Sequence, residues 1–253
     1  MLDLVEAIDL HTHYNHGSAY DQKIEHPMAR CEIDFLMKEY DSSYIRCGAY
    51  SSFASVLEPK SILDENNHLY EVSQVNDRVY QWVVIDPRQD ATFEQADNIL
   101  KSKKCLGIKI HPGYHGYDIE EYGDKIFSYA NEKETFVLMH PDKMERMPGF
   151  ADRYPKMNLT IAHLGWVQHV DAIENAKHGN IFVDTSGNDS SRNNVIEYAF
   201  NRVGSEHIFF GTDTYSCGFQ RGRIQFARIP DKDKENILRN NALRMFPGKF
   251  NLE

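Results

Sequence analysis

The stretch Ile8-Asp9-Leu10-His11-Thr12-His13 is a short apolar run that closes on two histidines one residue apart. Side chains alternate faces along a β-strand, so positions 9, 11 and 13 are expected on one surface, with both imidazoles at its C-terminal end. Such a pair suits a transition-metal ion, to which imidazole nitrogens bond at about 2.0–2.1 Å while leaving most of the coordination sphere open. A polar surface pair has the same local pattern; what else the chain brings to that surface decides between the two.

Seven further apolar runs rich in β-branched and aromatic residues follow, at 44–50, 79–85, 106–110, 136–139, 159–162, 181–183 and 208–211, the first of them interrupted by Arg46 and Gly48. With 7–10 they make eight. Amphipathic segments lie between them at 32–40, 69–77, 92–103, 119–131, 167–176 and 193–203; a weaker one at 144–154 is broken by Pro148 and Gly149, and a last one spans 232–246. Strands that alternate with helices make a parallel sheet, because a strand returning in the same direction needs a crossover. Eight such units predict one (β/α)₈ TIM barrel domain across residues 1–253. A doubly wound open sheet usually has fewer strands and often a Gly-rich first turn, which is missing here. Residues 51–67 are expected to be irregular, either folded over the barrel mouth or lying on the surface.

Hydrophobic residues at 41% and charged residues at 26% of 253 describe an ordinary globular chain. A formal charge of −10 with no Lys/Arg stripe speaks against nucleic acid, and no apolar run approaches the ~20 residues of a membrane span. The acidic start, Met1 to Glu6, lacks the features of a signal peptide, which predicts a cytoplasmic protein. Cys31, Cys47, Cys105 and Cys217 have no Cys-x-x-Cys spacing and are expected to be buried free thiols.

The chemistry gathers where the runs end. His11 and His13 close the first, Lys109 and His111 the fourth, His140 the fifth, His163 the sixth and Asp213 the eighth. In a barrel these ends meet at one face, so five of them bearing strong metal-binding residues predict a metal site. Around it, His16, His111 and His115 either touch substrate or belong to the rim. Arg88 either pairs bidentately with a substrate carboxylate or makes a surface salt bridge. Tyr114, Tyr117 and Trp166 either wall the pocket or pack against loops, and Asp184 and Ser186 either support the site or cap a turn.

Six stretches, Ile8 to His13, Gly107 to Pro112, Leu138 to Pro141, Ile161 to Gly165, Phe210 to Asp213 and Asn241 to Phe246, stand in the order that makes the chain resemble the amidohydrolase superfamily, most closely its metal-dependent "amidohydrolase 2" branch. The resemblance implies a divalent ion held by His11, His13, His140 and Asp213, with His163 beside the bound water or substrate. Zinc is the ion expected, with manganese or iron(II) as alternatives. In two-metal members the strand-four lysine is carboxylated and bridges the ions, which Lys109 could do with His140 and His163 at the second one. The single-ion reading instead makes Lys109 an uncarboxylated cation that binds substrate or pairs with Asp9, since a buried carboxylate is costly alone.

The activity expected is hydrolysis of a small, polar, carboxylate-bearing molecule such as a lactone, amide or ester by a metal-activated water. Asp213 would accept the proton and His163 would assist at the oxyanion or leaving group, with Lys109, His111, Arg88 and Trp166 as substrate contacts. Non-oxidative decarboxylation is the rival reaction, and a silent metal-dependent sensor or scaffold the rival outside catalysis. A small molecule is the partner expected, without nucleic acid or membrane; a homodimer is left open.

Overall fold

Strands β1 (Ala7–Tyr14), β2 (Ile45–Ser52), β3 (Val79–Val84), β4 (Cys105–Ile110), β5 (Phe136–Met139), β6 (Asn158–Ile161), β7 (Ile181–Asp184) and β8 (Ile208–Phe209) form one sheet in chain order, each parallel to the next. The computed structural model describes residues 5–16, 31–140 and 142–251; Met1 to Leu4 of the acidic start and Pro141 of the Leu138 to Pro141 stretch lie outside them. Leu10 N donates to the Phe210 carbonyl at 2.9 Å, and Thr212 N and Asp213 N donate to the His11 carbonyl at 3.1 and 2.8 Å. These bonds bring the chain after β8 onto β1 and produce the (β/α)₈ barrel.

Helices Ile33–Ser42, Ile62–Val75, Asp90–Ile99, Ile119–Glu132, Val167–Asn175 and Val195–Val203 cover the outside. Val83, Ile108, Ile110, Val137, Met139, Leu159 and Ile161 pack beneath them. A second core fills the barrel with Ile8, Leu10, Trp82, Leu138, Phe182 and Phe209. Phe246 closes its N-terminal end, 4.4 Å from the Phe136 ring centroid, at the end of a C-terminal segment that passes from helix Asp231–Glu235 through a π-helical turn into Asn241–Met245. All four cysteines are buried thiols outside any disulfide. Among the described residues no helix is long and apolar enough to cross a membrane.

Residues 51–67 are not irregular. β2 runs on to Ser52, whose hydroxyl accepts from Ser55 N at 3.0 Å and caps helix Phe53–Leu57. A 3₁₀ turn led by Pro59 then delivers the chain into Ile62–Val75, with Asp64 and Glu65 in its first turn where the helix dipole favours them. Ser, Pro and acidic residues that read as a loop are here the starts of two helices.

β1 also departs from simple alternation. Its register with β2 shifts between Asp9 and Thr12, so Leu10 packs in the barrel core while Asp9 reaches Tyr40 on the outer helix Ile33–Ser42. The expectation that Asp9 shares a face with His11 and His13 fails at this irregularity.

Candidate metal centre

β1 carries His11 and His13 inside the strand, β4 carries Lys109, and His140, His163 and Asp213 follow β5, β6 and β8. Their donor atoms form two groups, each within 4.8 Å: His11 with His13 and Asp213, and His11 with His140 and His163. His13 Nε2 lies 3.2 Å from Asp213 Oδ1 and His11 Nε2 lies 3.9 Å from the same oxygen. His140 Nε2 faces His163 Nε2 at 2.9 Å. The four ligands implied by the resemblance are thus divided, with His140 beside His163.

Backbone strain sharpens the placement. His163 and Asp213 both have positive φ, 63° and 57°, a conformation uncommon for side-chain-bearing residues and concentrated at functional sites. Gly187, also at positive φ, leaves the room that His163 needs: a Cβ there would sit 2.5 Å from His163 Nδ1.

Hydrogen bonds on the outer ring edges orient three of the imidazoles. His11 Nδ1 is 2.8 Å from Asp184 Oδ2 and 3.0 Å from Ser186 Oγ. His13 Nδ1 is 3.2 Å from the Ser51 carbonyl, and His163 Nδ1 is 2.9 Å from Ser186 Oγ. Ser186 Oγ in turn donates to Asp184 Oδ1. With the proton on Nδ1 in each ring, the Nε2 lone pairs of His11, His13 and His163 turn toward the cluster.

Burial and the Lys109 ammonium push His11 down to about 3. Burial likewise lowers His13 and carries His140 well below the usual imidazole range. Burial alone would raise Asp213, but the His13 hydrogen bond and the surrounding imidazoles outweigh it and hold the carboxyl at about 2. Neutral imidazoles beside an ionised carboxylate are the protonation states a metal requires of its ligands. Two ring nitrogens at 2.9 Å also need a proton or a cation between them. The residues present therefore fit a divalent ion, and an N/O donor set without thiolate suits zinc, manganese or iron(II).

Lys109 is not the partner of Asp9. Its Nζ lies 2.9 Å from His11 Nε2, and burial pushes it down to about 8 against the attraction of Asp184 and Asp213. Asp9 takes its hydrogen bonds elsewhere: from Tyr40 OH at 2.7 Å, Thr212 Oγ1 at 2.5 Å, and Thr212 N and His11 N at 3.1 Å each. Burial pushes its carboxyl up to about 7 against those four donors.

Arg88 is engaged in a salt bridge, with a carboxylate that is itself buried. It grips Asp86 through Nε and a terminal nitrogen at 2.9 and 2.7 Å and donates to the His115 carbonyl at 2.6 Å. Trp166 is half exposed, with the Arg192 guanidinium 3.6 Å above its ring. His16 stacks on His68 instead of joining the donors, and His115 Nε2 binds the Ser55 carbonyl at 3.1 Å. His111 lies face to face with His140, ring centroids 3.9 Å apart.

Asp184 and Ser186, left open between support and capping, do both: they bond the His11 and His163 rings, and Asp184 Oδ1 accepts from Ser186 N at 2.9 Å across the turn. Ser51 and Phe53, which stacks on His13 at 4.7 Å, were hidden in the stretch read as irregular. Thr214 is a further supporting residue, accepting from His13 N at 2.7 Å; no spacing in the sequence marks it.

The amidohydrolase family model matches residues 8–248. Comparison with curated proteins gives no match. Among solved structures, the chain is similar to a 2,6-dihydroxybenzoate decarboxylase complexed with 2,6-dihydroxybenzoate, with TM-score 0.77 and 16% identity over 96% of this chain and 99% of that one. It is also similar to a dihydroxybenzoic acid decarboxylase from Polaromonas sp. JS666 with bound manganese and the inhibitor 2-nitroresorcinol, with TM-score 0.73 and 14% identity over 96% and 97%. A 5-carboxyvanillate decarboxylase from Novosphingobium aromaticivorans, complexed with manganese and 4-hydroxy-3-methoxy-5-nitrobenzoic acid, gives TM-score 0.72 and 13% identity over 96% of each chain. At these identities the likeness is one of fold.

Proposed function

The chain belongs to the amidohydrolase family, and from that premise we propose that it is a divalent-metal-dependent, non-oxidative decarboxylase of a small aromatic acid. The observation that carries this reading is the state of Lys109. Its ammonium is fully buried at the donor cluster, and among the described residues its one hydrogen bond is to a neutral imidazole, His11. A cation left without a bonded carboxylate calls for an anionic ligand. The three decarboxylases that share the fold support an aromatic acid as that ligand.

A divalent ion, with His11, His13 and Asp213 as the residues to hold it, would supply positive charge to the substrate's carboxylate and a neighbouring oxygen. Lys109, which would give up its bond to His11 Nε2 when that lone pair holds the ion, would add charge on the same side. The bond from ring carbon to carboxylate breaks, carbon dioxide leaves, and the electron pair kept by the carbon takes up a proton. We assign its delivery to Nε2 of His163, which must first take that proton from solvent, because the ring's other nitrogen keeps its own N–H tied through Ser186 to the Asp184 carboxylate. The Ser186 link to that buried carboxylate orients the ring throughout.

Hydrolysis, the activity expected from the sequence, has less behind it, because the three structures described above are decarboxylases. Manganese takes the place of the expected zinc in this proposal, since two of those structures hold it. The test is manganese-loaded protein incubated with 2-hydroxybenzoate, 2,6-dihydroxybenzoate and 5-carboxyvanillate, with carbon dioxide trapped and counted. Release from at least one is expected. Cleavage of lactones or amides with no carbon dioxide from any aromatic acid would overturn the proposal.

A further inference from the structure

His111 follows β4 directly, is only 5% exposed, and has its two ring nitrogens in unequal circumstances. Nδ1 accepts from the Tyr114 backbone N–H at 3.2 Å, capping the short turn Pro112–His115. An imidazole that accepts at Nδ1 carries its proton at Nε2. That Nε2–H is buried and, among the described residues, has no hydrogen-bond partner. Buried donors are rarely left so, because desolvation is uncompensated, and an exception calls for a ligand or a bound water.

The ring that carries the orphan donor borders the metal centre. Its ring lies on His140 with centroids 3.9 Å apart and planes 28° from parallel. Lys109, His115 and His13 are the titratable groups whose charges act on it. Cap and stack together hold the imidazole in one orientation, so the donor is positioned before anything binds.

We propose that His111 is a substrate-binding residue whose Nε2–H donates to an anionic oxygen of the aromatic acid. Only the choice of an aromatic acid rests on the function proposed above. The competing occupant is a buried water between His111 Nε2 and Nδ1 of His115, a nitrogen that also has no partner among the described residues. A donor here favours ligands that present an acceptor oxygen, since a ligand lacking one leaves the N–H unpaired.

The variant that isolates the donor is His111→Asn. Asparagine is a good N-cap and keeps an acceptor for Tyr114 N–H, but it has no nitrogen at the reach of Nε2. Manganese-loaded full-length protein and the variant would be titrated with 2-hydroxybenzoate and with benzoate by calorimetry, alongside thermal unfolding, metal content and carbon dioxide release. His111→Asn is expected to keep its metal and its Tm and to bind 2-hydroxybenzoate about 10- to 100-fold more weakly, the range for a hydrogen bond to a charged acceptor. An equal loss for benzoate identifies the carboxylate as the acceptor, and a smaller loss identifies the ortho oxygen; either supports the proposal. Affinity unchanged with a lowered Tm would assign the donor to a structural water and overturn it, as would a wild type that binds neither acid. His111-dependent binding without carbon dioxide would refute the reaction and leave this inference standing.

Discussion

His163 and His11 hang on one hydroxyl: Ser186 Oγ is 2.9 Å from His163 Nδ1 and 3.0 Å from His11 Nδ1. The two rings stack with centroids 5.1 Å apart, and both present Nε2 to the cluster because that hydroxyl and the Asp184 carboxylate take their Nδ1 protons. Ser186→Ala leaves His11 its bond to Asp184 and deprives His163 of the one anchor that the described residues give it on that edge. Carbon dioxide release should fall by about 10-fold or more, as for other residues that orient a site from behind, while metal content stays near normal. Turnover of an accepted aromatic acid measures it, and a rate equal to wild type would contradict the role given to Ser186.

The two donor groups share His11, which makes their variants unequal. With one ion in the His11, His13 and Asp213 group, His13→Ala and Asp213→Ala should each lose most of the metal. His163→Asn should keep it near normal while kcat drops by about 10²–10⁴, the range for a positioned acid or base. Elemental analysis of chelator-free protein checks this. Two ions per chain about 3.5–4 Å apart, or a carbamate on Lys109, would restore the bridged two-metal reading.

Lys109 gives a pH signature in metal-free protein. Burial lowers its pKa to about 8, below the ~10.4 of an unfolded lysine, so between those values the unfolded chain binds more protons and stability rises with pH. Below about pH 8 the full cost of the buried charge is present, on the order of 1–3 kcal/mol. Lys109→Met should therefore unfold at a higher temperature than wild type at pH 7, with the gap narrowing toward pH 10. Parallel thermal melts across that range test it; a constant gap, or a less stable variant at pH 7, would show that the ammonium is not penalised.

Arg88 serves the loop after β4 and the buried Asp86 carboxylate. Arg88→Met strands that carboxylate and frees the His115 carbonyl, which should cost about 1–3 kcal/mol of stability. Denaturant melts would read the loss. Weakened substrate binding at unchanged stability would return Arg88 to the substrate.

Much of this molecule is legible in its sequence because the barrel is written in short apolar runs, and all eight coincide with strands to within a few residues. The strand ends that carry His11, His13, Lys109, His140, His163 and Asp213 converge for the same reason. What failed rests on contacts that local pattern cannot express. Asp9 left its expected face because β1 shifts register, and its partners Tyr40 and Thr212 lie 31 and 203 residues away in sequence. Ser186 and Asp184 reach His11 across 175 and 173 residues. The positive φ of His163 and Asp213 has no glycine to announce it.

The reaction itself is the central claim, and turnover of an accepted aromatic acid in deuterium oxide tests it most directly. Proton delivery to the carbon predicts one carbon dioxide released per product and one deuterium at the position that carried the carboxylate. A product acid that retains its carboxyl and takes up oxygen-18 from labelled water would contradict decarboxylation and return the chain to hydrolysis.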